Sequence, residues 1–299
     1  MIKIENLSKN FGDLKALDNL SVNVNESSVF GLVGSNGSGK STLLRILSGV
    51  YTADSGKVTI DGKIAEDNEE VKGICCFVSD FPYFSNNSTL KNTAVLYRSI
   101  YPNWSEEKYN NLCKSFPINS NAKIITMSKG MQRQAALILA LSTRPKYLFL
   151  DEIFDGLDPV VRQLVKKLII EEVAANNMAV IIASHNLREL EDFCDHIGFL
   201  HNGGILLEKE LDDLKLDLHR IQVAYEEFLP ENALSELDIV NIKNNGKMYE
   251  VVVRGDIELA KIVLNTYNPV FIETLPLTLE EIFISEMEVA GYDIDNILK

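Results

Sequence analysis

The chain has 299 residues, enough for one large domain or two of ordinary size. It carries 29 Lys and Arg residues against 43 Asp and Glu residues, a formal net charge of −14, and 46% of its residues are hydrophobic. The hydrophobic content excludes a wholly disordered chain. The acidic balance counts against a non-specific nucleic-acid binder, which needs a basic surface to displace counterions from phosphates.

The sequence has no apolar run close to the roughly 20 residues that span a bilayer; its longest are Ala135–Leu141 and Ala179–Ala183. Met1–Phe11 carries charges and lacks the apolar core of a signal peptide. We therefore expect a soluble, cytoplasmic protein. The cysteines fit neither a disulfide framework nor a zinc spacing and are predicted to be packing residues: Cys75, Cys76, Cys113 and Cys194.

Residues 1–214 alternate short apolar runs with helical patterns, which predicts a mostly parallel sheet covered by helices. Val58–Ile60, followed by an Asp61–Gly62 turn, indicates an antiparallel edge. The stretch from Pro82 to Arg144 is mainly helical and predicts an insertion into the sheet domain. The predicted buried strands are apolar on both faces: Val29–Val33, Ile74–Ser79, Tyr147–Leu150 and Val180–Ala183.

Residues 215–299 differ in pattern and predict a small C-terminal α+β accessory domain, which follows a hairpin at Ile197–Leu207. Its closing helix is predicted to begin at Thr278, because Thr278 and Glu281 have the spacing of a capping box. The preceding predicted elements are four strands and one helix: Arg220–Ala224, Ile239–Lys243, Met248–Arg254, Val270–Thr274 and the helix Ile257–Asn265.

A phosphate-binding motif, G-x-x-x-x-G-K-S, lies between the predicted strand Val29–Val33 and a helical pattern. Its glycines let backbone N–H groups turn inward at a helix N-terminus, where they bind anions. Lys40 places a positive charge on the β- and γ-phosphates, and the Ser41 hydroxyl is a ligand for Mg²⁺. The residues predicted to hold the nucleotide are Gly34, Ser35, Asn36, Gly37, Ser38, Gly39, Lys40, Ser41 and Thr42.

The predicted strand Tyr147–Leu150 runs into two carboxylates, Asp151 and Glu152. Ligands bind at the carboxyl ends of strands in such sheets. Asp151 can hold Mg²⁺ through water, and Glu152 can take a proton from a water molecule aimed at the γ-phosphate. An apolar run that ends in Asp-Glu is also typical of a strand entering a solvated turn, and the phosphate motif is what favours the functional interpretation.

These motifs resemble those of the ATP-binding cassette (ABC) family, the nucleotide-binding subunits of transporters, over residues 1–214. The discriminating segment is Met127–Met131, Met-Ser-Lys-Gly-Met, where the family usually has Leu-Ser-Gly-Gly-Gln. Ser128 and Gly130 match, whereas Lys129 and Met131 depart. The resemblance implies an α/β P-loop NTPase core with an antiparallel β edge and a helical insertion. It also implies that the helix after Ser128 faces a γ-phosphate held by the opposite protomer, although Ser-x-Gly before a helix is often only a cap.

The resemblance assigns roles to four further positions. Phe11 stacks on adenine, with a core position as the alternative. Asp158, in Gly-Leu-Asp, lies in the loop that contacts the dimer partner, and His185 contacts the γ-phosphate. Asp80 stands where the family usually has a Gln that ligates Mg²⁺, and the aromatic-rich sequence after it lies where the family binds a helix of the transmembrane partner.

The function implied is that of an ATP-hydrolysing ABC transporter subunit, with Lys40, Glu152 and His185 as catalytic residues and ATP and Mg²⁺ as cofactors. The expected partners are a transmembrane permease subunit, which would hold the protein on the inner face of the cell membrane, and a second cassette in a homodimer or heterodimer. No direct contact with nucleic acid is expected.

The alternative is a non-transport ABC ATPase that acts as a regulatory or nucleic-acid-associated switch. A chromosome-maintenance or repair ATPase would need a long coiled-coil insertion between Lys40 and Ser128, and a translation-associated cassette protein normally carries two cassettes in one chain. A binding-only regulator would be expected to lack Glu152 or His185. The sequence has none of these three features.

Overall fold

The computed structural model describes residues 1–230 and 233–289, with side chains to Ser285. The chain divides into two compact units, Met1–Glu208 and a second that begins at Lys209. The boundary predicted at residue 214 falls inside a helix, Leu211–Asp217, which packs onto the strand that follows it. Across the described residues, no helix is both long and apolar enough to cross a bilayer.

The strands of the first unit, the last of which continues two residues past its boundary, are β1 Ile2–Phe11, β2 Leu14–Val24, β3 Val29–Val33, β4 Ser55–Ile60, β5 Lys63–Ile64, β6 Cys75–Val78, β7 Tyr147–Asp151, β8 Ala179–Ser184, β9 His196–His201 and β10 Gly204–Glu210. Its helices are α1 Lys40–Leu47, α2 Glu69–Ile74, α3 Leu90–Ile100, α4 Glu106–Ser115, α5 Lys129–Ser142, α6 Pro159–Asn176 and α7 Leu187–Glu191.

The central sheet has the strand order β10-β9-β3-β8-β7-β6, and the five strands from β9 to β6 run parallel. Every residue of β3, β7 and β8 is buried, as predicted for the apolar runs that make up all but the last residue of β7 and of β8. The predicted strand Ile74–Ser79 is shorter in the structure, because Ile74 ends α2. The register pairs Val33 with Ser184 and Asp151 with Ala183, so these strands end at one edge of the sheet.

A second, antiparallel sheet has the order β2-β1-β4-β5 and contains the predicted edge strand. Alternate residues of β1 are buried, among them Ile2 and Ile4. They join Leu43 and Leu44 of α1 and Phe149 of the central sheet in one apolar cluster. The helix that follows the phosphate motif is therefore fixed by the core.

The predicted helical insertion consists of α3, α4, a 3₁₀ turn at Ile124–Thr126 and α5. Thr89 and Asn92 form a capping box that begins α3, and Ser105 caps α4. Helix α5 packs against α3, α4 and β6, and from Arg133 to Ser142 all of its residues are buried. This helix ties the insertion to the central sheet.

The second unit contains α8 Leu211–Asp217, β11 Leu218–Ala224, β12 Asp238–Asn245, β13 Met248–Arg254, α9 Ile257–Asn265, β14 Phe271–Leu275 and α10 Leu279–Val289. Its antiparallel sheet has the order β12-β13-β11-β14. Alternate residues of β11 and β13, such as Val223 and Val251, pack with Leu264 of α9 in a separate core. The backbone N–H of Thr278 donates to Glu281 at 2.9 Å, as predicted for the start of the last helix.

Candidate nucleotide-binding site

The phosphate motif forms the turn between β3 and α1. Gly37 and Gly39 have φ of 82° and 112°, values that favour glycine. A Cβ at Gly39 would come within 2.4 Å of the Ala16 carbonyl oxygen, and one at Gly34 within 2.3 Å of the Leu200 carbonyl oxygen. Gly39 is therefore required both for its backbone conformation and because a Cβ would not fit. Gly34 is required because a Cβ would not fit.

Lys40 begins α1 with its side chain 5% exposed. Its Nζ donates to the carbonyl oxygens of Gly34 and Ser35 at 2.7 and 3.1 Å and lies 3.9 Å from Glu152 Oε1. Burial lowers the pKa of Lys40, and the nearby carboxylates of Glu152 and Asp151 oppose that shift. A cation held over the loop in this way is placed to bind phosphate.

Asp151 ends β7 and is fully buried. Ser41 Oγ donates to its Oδ1 at 3.0 Å, whereas its Oδ2 has no hydrogen-bond partner among the residues that the structure describes. Burial raises the pKa of Asp151, and the charge of Asp80 adds to this while the Ser41 hydrogen bond opposes it. A buried, unpartnered carboxylate oxygen beside a serine hydroxyl fits Mg²⁺, which prefers oxygen ligands.

Asp80 lies in the loop after β6, with its Oδ1 3.7 Å from Arg45 Nη2 of α1. The positive charge of Arg45 offsets part of the negative charge of Asp80. Sequence reasoning missed Arg45, because nothing in its local pattern distinguishes it from a cation near the end of a surface helix.

Glu152 follows Asp151 with φ of 45°, and its backbone N–H donates to the Ala183 carbonyl oxygen at 3.0 Å. Its Oε2 lies 3.0 Å from Nδ1 of His185, which follows β8. The carboxylate of Asp155 joins these two groups, and the three ligand atoms lie within 4.8 Å of one another. Sequence reasoning missed Asp155, although its position three residues after Glu152 in a turn was a usable signal.

Ser128 is the N-cap of α5 and accepts a hydrogen bond from the Met131 N–H at 3.2 Å. Ser128 is exposed, while Gly130 is buried, where a Cβ would come within 2.5 Å of the Gly156 carbonyl oxygen. Asp158 caps α6 and accepts from the N–H groups of Val160 and Val161, both at 3.0 Å. In a single chain, Ser128 and Asp158 therefore serve as helix caps.

Phe11 lies at the end of β1 and is 43% exposed, not part of the core. The Tyr51 ring meets it edge to face with centroids 5.4 Å apart, and Lys9 Nζ lies 5.6 Å from its centroid. The ring is accessible to a flat ligand such as adenine.

The model of the ABC transporter family matches residues 17–155. The ABC transporter ATP-binding protein YtrB of Bacillus subtilis is 32% identical over 286 residues, which cover 96% of this chain and 98% of YtrB. The chain belongs to the ATP-binding cassette family. The lantibiotic transport ATP-binding protein SrtF of Streptococcus pyogenes is 33% identical over 214 residues, covering 71% of this cassette protein and 92% of SrtF.

A solved structure, the ATP-binding subunit of an ABC transporter, matches the cassette protein with a TM-score of 0.67 at 25% identity, over 72% of this chain and 92% of that one. Fold and family agree, so the P-loop NTPase core predicted from the sequence is confirmed. The protein is the ATP-binding subunit of an ABC transporter and an ATPase. The non-transport alternative gains no support.

Proposed function

We propose that this subunit hydrolyses Mg²⁺-bound ATP at sites shared between two cassettes, and that their closure around ATP drives a transmembrane permease subunit. The observation that carries the proposal is the division of the site within one chain. Lys40, Ser41, Asp151, Glu152 and His185 converge at one edge of the sheet, whereas Ser128 is exposed and bonds only to its own helix in the contacts above. A second cassette would supply the missing side of the γ-phosphate.

Each side chain at the sheet edge has a distinct role in this proposal. Lys40 holds the β- and γ-phosphates, Glu152 orients and deprotonates the attacking water, and His185 donates to the γ-phosphate. The 3.0 Å contact between His185 and Glu152 supports this, because a carboxylate on one ring nitrogen fixes the tautomer and leaves the other free for the substrate. Phosphoryl transfer needs positioning and charge neutralisation more than covalent chemistry.

Mg²⁺ would be held by Ser41 and, through water, by Asp151, with Asp80 as a further oxygen ligand. The metal supplies charge neutralisation on the phosphates. The buried, unpartnered Oδ2 of Asp151 supports this assignment. Phe11 would stack on the adenine, and Asp158 would meet the second cassette near the shared site.

The dimer can be a pair of identical chains, because this chain carries both the sheet-edge residues and the exposed Ser128 helix. A heterodimer with a related cassette would use the same two surfaces. In either assembly, ATP would link the two cassettes. Both are acidic, but at physiological salt their electrostatic repulsion is screened beyond about 8 Å. Loss of the γ-phosphate would release the link.

The permease would bind the exposed apolar surface around the helical insertion. Phe81 and Tyr83 are 69% and 90% exposed in the loop after β6, and Val95, Leu96 and Ile100 of α3 are each more than half exposed. Large exposed apolar side chains are typical of surfaces that contact other proteins where they form a patch. Binding there would place this cytoplasmic subunit at the inner face of the cell membrane.

The experiment is size-exclusion chromatography with light scattering on Glu152→Gln, a variant expected to bind ATP without hydrolysing it. ATP with Mg²⁺ should convert it from monomer to dimer, and ADP should not. The matched control is Glu152→Gln with Ser128→Ala, which should bind ATP and dimerise poorly. A Glu152→Gln protein that stays monomeric with ATP, both alone and with its permease, would refute the proposal.

A further inference from the structure

Arg133 is a buried cation in α5 that none of the roles above uses. Its side chain is 8% exposed. The Nε and Nη2 groups donate to the carbonyl oxygen of Asp80 at 3.2 and 3.0 Å, and Nη1 donates to the carbonyl oxygen of Asp155. One side chain therefore holds the main chain of two loops that are far apart in the sequence.

A buried guanidinium in this place needs a physical reason, because burial of a charge is costly unless hydrogen bonds compensate. Among the described residues, no carboxylate forms an ion pair with Arg133; its observed partners are main-chain oxygens. The guanidinium presents five N–H donors in a rigid plane, so it can serve two carbonyl groups at fixed angles. Its role is therefore geometric and not charge neutralisation.

Both loops lie at the edge of the central sheet where the proposed site is. The first carries the Asp80 carboxylate, 3.7 Å from Arg45 Nη2. The second begins at Glu152, and the Asp155 carboxylate stands in the group with Glu152 and His185. Movement of either main-chain segment would displace a carboxylate relative to the phosphate loop.

The N-terminal end of α5 also packs closely against the loop that follows Glu152. A Cβ at Gly130 would come within 2.5 Å of the Gly156 carbonyl oxygen and 3.8 Å of Leu157. Gly156 itself has φ of 70°, and a Cβ there would lie 3.5 Å from Arg133 Nη1. The first turn of α5, which exposes Ser128, is thus fixed to the loop after Glu152 by packing and by Arg133.

We propose that Arg133 is a positioning residue that ties the start of α5 to the Asp80 loop and to the loop after Glu152. In the shared site proposed above, on which this inference rests, Ser128 touches the nucleotide of the opposite cassette. Arg133 then holds the loops of its own site in register with that contact. It touches neither the nucleotide nor the attacking water.

The test compares Arg133→Ala, Arg133→Gln and Arg133→Lys in the full chain. We expect Arg133→Ala to lower kcat by about 10–100-fold, the cost of a misplacement of about 1 Å at a reacting group. Arg133→Gln should lower kcat less, because its amide N–H can still donate to one of the two carbonyl oxygens. The Kd for ATP should stay within about twofold, because the phosphate loop keeps its own contacts. Arg133→Lys should be faster than Arg133→Ala, since an ammonium group can still donate to one of the carbonyls.

The matched control is Arg98→Gln, which removes the same charge from α3, where Arg98 pairs with Glu106 on the surface; kcat should be unchanged. In a Glu152→Gln background, Arg133→Ala should still form the ATP-dependent dimer, which separates positioning from dimerisation. Failure of Glu152→Gln alone to dimerise would count against the shared site. The positioning role of Arg133 is tested separately, by whether Arg133→Ala lowers kcat while the Kd for ATP stays unchanged.

Three outcomes would overturn the inference. The first is an Arg133→Ala protein with wild-type kcat. The second is a loss of ATP affinity or of dimerisation that parallels the loss of kcat, which indicates a merely structural role. The third is Arg133→Lys no faster than Arg133→Ala, which would show that the hydrogen bonds to the carbonyl groups are not what matters.

Discussion

The two units of the chain use their sheets differently. In the first unit, neighbouring parallel strands end at the same edge of the sheet. Asp151 ends one of these strands, and Lys40, Glu152 and His185 follow the ends of these strands, so all four side chains lie at that edge. In the second unit, antiparallel neighbours end at opposite edges, and polar groups bond within the unit, as Tyr225 Oη does to the Leu264 carbonyl oxygen at 3.0 Å. Among the described residues, the cluster able to hold a metal ion lies wholly in the first unit.

The difference explains why the candidate site of the described residues lies in the first unit. A parallel sheet collects one loop from each strand at the same edge, so residues distant in sequence become neighbours. That edge also carries strain and an unsatisfied group: φ of 45° at Glu152 and the unpartnered Oδ2 of Asp151. Such features persist where function requires them. The second unit has a compact core instead, and we propose that it is an accessory domain.

Glu152→Gln sharpens this comparison most, because it removes the proposed general base and keeps the size and shape of the side chain. We expect ATP turnover to fall by about 10²–10⁴, the usual contribution of a general base. Steady-state phosphate release measures kcat, and nucleotide titration should show ATP affinity unchanged. Undiminished hydrolysis would show that Glu152 is not the general base and would leave Asp155 and His185 as candidates for that role.

Lys40→Ala should have the next largest effect, on affinity. Its nearly buried Nζ lies over the phosphate loop, and loss of the charge-assisted hydrogen bond that it would give a phosphate costs about 1.5–3 kcal/mol, or roughly 10–100-fold in Kd. Calorimetric titration with ATP measures the loss. Lys167→Ala, which removes a lysine that is 74% exposed, is the control and should bind normally. Wild-type affinity in Lys40→Ala would contradict the phosphate-loop assignment.

Asp151→Asn should weaken function while it stabilises the protein. Loss of the carboxylate should lower Mg²⁺-dependent turnover by about 10–100-fold, as expected for a group that acts through a metal-bound water. The free energy of unfolding at neutral pH should rise by about 1 kcal/mol, because the buried charge disappears and the amide oxygen can still accept from Ser41.

The pH dependence of that stability gain has a definite sign. Burial raises the pKa of Asp151 above its value in the unfolded chain, so the folded protein is disfavoured when the carboxyl is ionised. The gain from Asp151→Asn should therefore be full at neutral pH and disappear as the pH falls below the unfolded pKa, where the wild-type carboxyl is also neutral. Thermal unfolding at several pH values tests this; a gain that persists in acid would contradict it.

The sequence predicted the central strands well, because β3 is an apolar run and β7 and β8 are apolar up to their last residues, Asp151 and Ser184. The phosphate motif indicated the start of α1. It could not show that Arg45 lies beside Asp80 or that Arg133 bonds to the Asp80 and Asp155 carbonyl groups. These contacts join segments that only the folded sheet brings together. Helix α8 was not predicted, because seven residues with two buried leucines are too few to show a helical periodicity.

Leu264→Ala tests the other side of the comparison and should leave turnover unchanged. Leu264 is fully buried in the core of the second unit, so truncation should lower the free energy of unfolding of that unit by about 2–5 kcal/mol. The matched variant Leu148→Ala, equally buried in β7, should destabilise the cassette and reduce hydrolysis as its folded fraction falls. Calorimetry measures the unfolding of each variant, and phosphate release at temperatures below unfolding measures its activity. If Leu264→Ala changes kcat while the cassette stays folded, the second unit affects hydrolysis at the site. The two units would then not be functionally independent.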